Sequence, residues 1–407
     1  MEKPSSSSTS EPAAQQISAI FPDEVIIEIL TWLPVKPILR FRCVSKCWLS
    51  FISSPLFIRT HLLKSANKSD YDQHRLLLRT REELAEDFVR FKLKNCDLSP
   101  VLCNAPIVEA TNLSDSLGRG GDVERVETDF RTDNFHDVQI VGSSNGLICV
   151  TVSGDVLLWN PSIRKFKKLP DFGPKPDDDD DGYFYVFGYD EYDDDYKVFG
   201  ILTDEDGARG LIGQTCLDVY SRNAAVWRRI EDFNSDIFYH GFCLVNGKLH
   251  WSTSPRFGRW GKILSLDLAN ETYGEVEQPK YGEGTFDWTL EVLGGCLSIV
   301  RYYRSSRVEV WILKDYGVKE SWTKVVLISN FSDPGYLCSC KPVFQSNDGE
   351  ILFYYLSNLP GLMLYNPKSN SLMHPHITKL EVLVGVNMYV ESLVLLDDHD
   401  GGERRRL

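Results

Sequence analysis

From about residue 75 onward the chain repeats one pattern, and that repetition restricts its fold more than any other feature. Short runs of alternating apolar and polar residues, the period of a half-buried strand, are punctuated by Gly, Asn and Asp. Ser144-Asn145-Gly146-Leu147-Ile148-Cys149 parallels Val245-Asn246-Gly247-Lys248-Leu249-His250-Trp251 and Asn347-Asp348-Gly349-Glu350-Ile351-Leu352-Phe353. A tight two-residue hairpin needs positive φ, which Asn and Gly supply at low cost, so each copy predicts a pair of strands. A second pattern follows the first: Leu158-Trp159-Asn160-Pro161-Ser162-Ile163-Arg164-Lys165-Phe166 resembles Leu364-Tyr365-Asn366-Pro367-Lys368-Ser369-Asn370-Ser371-Leu372, with weaker copies at 219–227, 266–273 and 310–322. The leading residues Trp159, Tyr220, Leu266, Trp311 and Tyr365 stand roughly 45 to 60 residues apart, within reach of a propeller blade. One blade cannot bury both its faces, and radial stacking completes the core. Five blades are read directly. A sixth is expected from both ends of the domain, residues 75–79 and 88–93 pairing beside 382–386 and 389–395, which removes exposed sheet edges.

Ahead of this body lies a stretch of different period. Residues 21–53 read FPDEVIIEILTWLPVKPILRFRCVSKCWLSFIS. Pro22, with Asp23 and Glu24 behind it, suits a helix start, and Pro34 predicts an end at Leu33. At about 100° per residue, Val25, Ile26, Ile27, Ile29, Leu30, Trp32 and Leu33 spread over an arc of about 220°, against about 100° for an ordinary surface helix. Pro37 opens a second short helix through Ile38, Leu39 and Phe41. Ser45 suits the N-cap of a third, which carries Trp48, Leu49, Phe51 and Ile52 until Pro55 stops it. So small a unit is marginal alone, and each aliphatic side chain left in water forgoes roughly 1.5–3 kcal/mol. The surplus predicts burial against a second protein.

These residues carry a resemblance. Phe21-Pro22-Asp23-Glu24, Ile29-Leu30, Leu33-Pro34-Val35-Lys36, Leu39-Arg40-Phe41-Arg42-Cys43-Val44-Ser45-Lys46 and Trp48 resemble an F-box of the version common in plants, departing from it mainly at Phe21, where leucine is usual, and at Cys47, where the family is variable. The resemblance implies docking onto the Skp adaptor of a Skp–cullin–F-box ubiquitin ligase, with Pro22, Ile26, Leu33, Pro34, Leu39, Val44 and Trp48 facing the adaptor or shaping its contact. The Asn-Gly-Leu-Ile start, the Trp-Asn-Pro segment, Phe187-Gly188-Tyr189-Asp190 with Asp195-Tyr196-Lys197-Val198, and the closing Tyr389-Val390-Glu391-Ser392-Leu393 resemble plant F-box proteins with an F-box-associated or kelch-type propeller. The glycine pair typical of kelch blades is clear only at Gly294-Gly295. The fold class expected is thus α+β and multidomain: a disordered Ser-rich tail (1–17), a three-helix F-box (18–65), an all-β propeller of about six blades (75–396) and a polar tail (397–407).

Composition narrows the function. A formal net charge of −14 argues against general phosphate binding, so nucleic acid is not an expected partner. No run approaches about 18 uninterrupted apolar residues, and residues 1–16 have no apolar segment of a secretory signal, so neither a membrane span nor export is expected. The ten cysteines lack Cys-x-x-Cys spacing and read as reduced, mostly buried thiols of a cytoplasmic or nuclear protein. The acidic runs at 177–181 and 190–195 read as solvated loops, and 177–181 and 282–288 are candidate substrate-contacting loops on general grounds.

No constellation of catalytic residues stands out. His374-x-His376 and Cys338-x-Cys340 each place two ligating side chains on one strand face without a third, and Gly118-Arg119-Gly120-Gly121 lacks a Walker lysine. No cofactor or metal is expected. The reading is a non-catalytic substrate adaptor whose partners are a Skp-type adaptor, through it a cullin, and a protein substrate the sequence does not identify. The alternative is a propeller enzyme or carbohydrate-binding module tethered by its N-terminal helices. That alternative leaves the F-box stretch unexplained.

Overall fold

The computed structural model describes residues 22–85, 88–103, 105–113, 138–152, 154–171, 183–203, 215–230, 241–253, 261–281, 287–303, 307–329 and 339–396. The Ser-rich start, the acidic run at 177–181, Gly118 to Gly121, Cys338 and the polar C-terminal tail lie outside these residues.

Four helices lead the described residues: α1 (Asp23–Thr31), α2 (Val35–Phe41), α3 (Lys46–Ile52) and α4 (Pro55–Ala66). Pro22 stands just ahead of α1. The helix ends two residues earlier than Pro34 alone predicts, because Trp32 and Leu33 bond back to the carbonyls of Ile29 and Leu30 in tight three-residue steps (3.2 and 3.1 Å). Ser45 caps α3, its hydroxyl accepting from the Trp48 amide at 3.1 Å. The fourth helix is a correction to the expected three. Pro55 does not only stop α3: it occupies the first turn of α4, where its missing N–H is not needed, and the Ser54 hydroxyl accepts from the Phe57 amide at 3.3 Å.

The remainder is a six-bladed β-propeller. Blade 1 comprises Val138–Ser144, Leu147–Val152, Asp155–Asn160 and Lys165–Lys168; blade 2, Tyr183–Asp190, Asp195–Thr203, Thr215–Ser221 and Val226–Ile230. Blade 3 comprises Phe242–Val245, Lys248–Ser252, Ile263–Asp267 and Tyr273–Val276; blade 4, Asp287–Leu293, Cys296–Tyr303, Arg307–Leu313 and Trp322–Ser329; blade 5, Ser339–Gln345, Ile351–Leu356, Gly361–Asn366 and Ser371–Met373. Each is an antiparallel meander. The closing blade draws its innermost strand, Val382–Val390, from the C-terminal part of the chain, and adds His74–Ala85, Phe88–Asp97 and Thr111–Asn112 from the N-terminal part. The first strands of the blades neighbour one another in a closed ring, with Val382–Val390 between Ser339–Gln345 and Val138–Ser144. Among the described residues each blade packs on its neighbours through an apolar cluster: Val300, Tyr302, Val308 and Val310 of blade 4, for example, pack with Cys340, Phe353, Met363 and Tyr365 of blade 5.

The repeats in the sequence are two recurring turns. Asn145-Gly146, Asn246-Gly247 and Gly294-Gly295 each join a first strand to a second with positive φ at both residues (46° and 78°, 52° and 66°, 58° and 76°), the type I′ geometry that matches strand twist. Asp348-Gly349 differs from its expected parallel. Only the glycine has positive φ there, and Ser346 spans a wider loop by donating to the Glu350 carbonyl at 2.8 Å. Between third and fourth strands, the side chains of Asn160, Asp267 and Asn366 accept from the backbone amide two residues on, at 2.9 to 3.1 Å. Four residues after each, Arg164, Glu271 and Asn370 adopt φ of 56°, 54° and 52°.

The expected strand at 389–395 is a second correction. Tyr389 and Val390 complete the innermost strand, and residues 391–396 leave the sheet for the helices.

Candidate docking surface on the helical module

The arc of apolar residues on α1 divides into two stripes of helical spacing. Ile26, Leu30 and Leu33 turn inward, where Leu30 joins the buried side chains of Val35, Ile38, Ile52 and Phe57. Val25, Ile29 and Trp32 face out, exposed by 41, 55 and 50 %. Val44 and Leu49, at 45 and 41 %, add to the exposed apolar side chains. Isolated exposed apolar residues are ordinary; with Leu56 and Leu63 of α4, at 77 and 56 %, seven within one short helical module are the mark of a contact surface.

The residues singled out by resemblance fall in two groups. Pro22, Pro34 and Val44 are exposed. Ile26, Leu33, Leu39 and Trp48 are half-buried against the module's own core, Trp48 meeting Phe41 edge to face at 5.5 Å between ring centroids. Val25, Ile29 and Trp32 were not singled out, although their i, i+4, i+7 spacing is written in the sequence.

One edge of the surface is organised by charge. Lys64 of α4 donates to Glu28 Oε1 (2.6 Å) and to the Thr31 hydroxyl (2.8 Å), and its ammonium lies 4.7 Å from the Trp32 ring centroid. The Trp32 indole N–H also reaches Glu28 (2.9 Å), so the exposed ring is held in one orientation. The Lys64 hydrogen bond, followed by that of Trp32, holds the Glu28 carboxyl below its ordinary range. Beneath it, the fully buried His61 donates from Nε2 to the Leu33 carbonyl at 2.8 Å, tying α4 to the end of α1. Burial keeps that imidazole below the ordinary histidine range.

The module rests on the end of the propeller that carries the turns of blades 1 and 2. Leu393 enters the helical core, while Val394 and Leu396 pack with Leu62, Phe187, Tyr196 and Tyr220. Arg222 clamps the same segment, donating to the carbonyls of Leu395 (2.9 Å) and Leu396 (3.0 Å).

The other sequence candidates land apart from this surface. His374 contacts the Leu362 carbonyl (3.3 Å) and the Tyr355 ring, and the His376 carbonyl accepts from Val108. Cys340 is buried, and desolvation pushes its thiol up. Of the nine cysteines among the described residues, Cys43, Cys47 and Cys103 are exposed and the other six are buried or half-buried. The acidic run at 190–195 is not simply solvated: Asp190 and Asp195 are buried, Asp190 pairing with Lys197 at 2.6 Å and Asp195 accepting from Ser221 at 2.5 Å. Among the described residues, no group of three His, Cys, Asp or Glu gathers with metal-site geometry, and no helix is long and apolar enough to cross a membrane. The propeller axis holds a cavity of about 280 Å³ lined by all six innermost strands, with Glu291 and Lys341 3.6 Å apart on its wall.

Known proteins share this arrangement. The F-box domain family matches residues 20–60, and the family described as F-box associated beta propeller domain matches residues 106–395. An F-box/kelch-repeat protein of Arabidopsis thaliana is 28 % identical over 388 residues, covering 93 % of this chain and 96 % of its own length. The Arabidopsis thaliana F-box protein CPR1 is 28 % identical over 404 residues, covering 93 % and 89 %. With helices α1 to α3 in the span of the first family and five complete blades in that of the second, the chain belongs to the plant F-box proteins that carry an F-box associated β-propeller.

Proposed function

We propose that this protein is the substrate-recognition subunit of a Skp–cullin–F-box ubiquitin ligase, docking a Skp-type adaptor through its helical module and holding a protein substrate on its propeller. The observation that carries the reading is the outward stripe Val25, Ile29 and Trp32, which the fold leaves uncovered after every blade has been packed. Each is about half exposed, so burying the remainder against a partner is worth roughly 1 kcal/mol per side chain. Val44, Leu49, Pro22 and Pro34 extend the surface. Under this reading the cullin joins through the adaptor, and ubiquitin transfer gains rate from proximity, with no catalytic group required of this chain. The helices occupy the propeller end that carries the turns of blades 1 and 2, and substrate binds on propeller surface that they leave free.

The reading is tested by affinity purification of the full chain from plant cells under proteasome blockade, followed by mass spectrometry, beside the variant Ile29→Asp. A Skp-type adaptor and cullin should accompany the wild type and be lost from the variant, while proteins held by the propeller accompany both. Recovery of neither adaptor nor cullin with the wild type would remove the reading.

A further inference from the structure

Residues 391–396 join the two parts of the molecule. They continue directly from Val382–Val390, the innermost strand of the closing blade. Their polar atoms are spent on the propeller: the buried Asn160 amide donates to the Ser392 carbonyl (3.2 Å), the Ser392 hydroxyl (3.0 Å) and the Val394 carbonyl (2.9 Å), and the Ser392 amide donates to Ser162 Oγ (3.1 Å). Their apolar side chain Leu393, 3 % exposed, is spent on the helices, where it completes the cluster of Leu30, Val35, Ile38, Ile52 and Phe57. Ile163, from the blade 1 turn that begins at Asn160, packs beside it.

We infer that residues 391–396 act as a latch that makes the helical module dependent on a closed propeller. A module of about 45 residues cannot assemble enough core alone, and here its core is finished by a side chain more than 300 positions away in sequence. The helices therefore do not hang from a tether. Opening the closing blade withdraws Leu393 and loosens α1 to α3, and a well-formed helical module holds the last strand in its ring. The consequence for the adaptor surface rests on the proposed function: Val25, Ile29 and Trp32 keep one fixed direction relative to the propeller, and a chain whose propeller has not closed presents a poorly formed docking surface. The mechanical dependence stands without any adaptor.

Amide hydrogen exchange on the full chain without adaptor tests it, so its outcome is separate from that of the ligase reading. Leu393→Ala should speed exchange in α1, α2 and α3 by at least about thirtyfold, the equivalent of about 2 kcal/mol at tenfold per 1.4 kcal/mol, while blades 3 and 4 keep their rates. A chain ending at Leu396 should match the wild type, and one ending at Val390 should show the helical loss in full. If the Val390 chain does not fold, Leu393→Ala decides. Unchanged helices in Leu393→Ala, or equal acceleration in helices and all blades, would overturn the latch. So would loss of helical protection in the chain ending at Leu396, which would assign the hold to residues beyond it.

Discussion

The side-chain amide of Asn160 is fully buried and donates to both oxygens of Ser392, the carbonyl at 3.2 Å and the hydroxyl at 3.0 Å. Its own oxygen accepts from the Ser162 amide at 3.0 Å, so one residue shapes the third turn of blade 1 and fastens the end of the closing strand. Asn160→Ala leaves the Ser392 and Val394 carbonyls buried without this donor and should cost roughly 2–4 kcal/mol. Urea denaturation measures it through the midpoint at constant slope. A loss below about 0.5 kcal/mol would show that the contact carries little stability.

Gly146 and Gly295 occupy the same place in two blades and differ in their surroundings. Both have strongly positive φ, 78° and 76°, which an L side chain adopts at a cost of roughly 1 kcal/mol. A β-carbon at Gly295 meets open space, whereas one at Gly146 is driven into Ser392 and the Val390 carbonyl. Gly146→Ala should therefore destabilise the chain more than Gly295→Ala, by at least about 1 kcal/mol, and speed exchange at residues 391–396. Equal losses in the two variants would contradict the close approach.

His250 is fully buried in blade 3, its Nε2 2.7 Å from the Tyr316 hydroxyl, and burial holds its imidazole down to about 4. Because the folded value lies below the unfolded one of about 6.5, the unfolded chain takes up this proton first as pH falls. Stability from this site is complete above pH 6.5 and is lost toward pH 4, a difference of roughly 3 kcal/mol. His61 and His74, also held down chiefly by burial, act in the same direction. An NMR titration should find the His250 ring neutral at pH 5.5. Protonation with a midpoint near 6.5 would refute the burial argument.

Much of this architecture is legible in the sequence because turns are local. Asn145-Gly146 and Asn246-Gly247 announce type I′ hairpins from two residues each, and the repeat at Asn160 and Asn366 reflects a side chain bonding its own backbone two positions on. Closure by both ends of the domain follows from the cost of open edges. What escaped the sequence is non-local or two-valued. Proline both ends and begins helices, which concealed α4 behind Pro55. Residues 389–395 are rich in the apolar residues of a strand, and nothing local says that Leu393 finds its neighbours at Leu30 and Ile38. The candidate surface was half legible: the breadth of the α1 arc shows that two stripes exist, but either could face inward. Only packing assigns Ile26, Leu30 and Leu33 to the core and leaves Val25, Ile29 and Trp32 outside. A charge at Leu33 consequently tests folding and docking together, whereas one at Ile29 tests docking.

The most direct measurement of the account is a calorimetric titration of the full chain with a purified Skp-type adaptor, repeated with Val25→Asp and Ile29→Asp combined. The wild type should bind, and the double variant should lose at least about tenfold in affinity, since two half-exposed aliphatic side chains, each with roughly 1 kcal/mol still to gain from burial, are replaced by charges, with its melting temperature unchanged. Binding of the variant at wild-type affinity, or no binding by a folded wild type, would contradict the claim that this exposed stripe is where the ligase holds the protein.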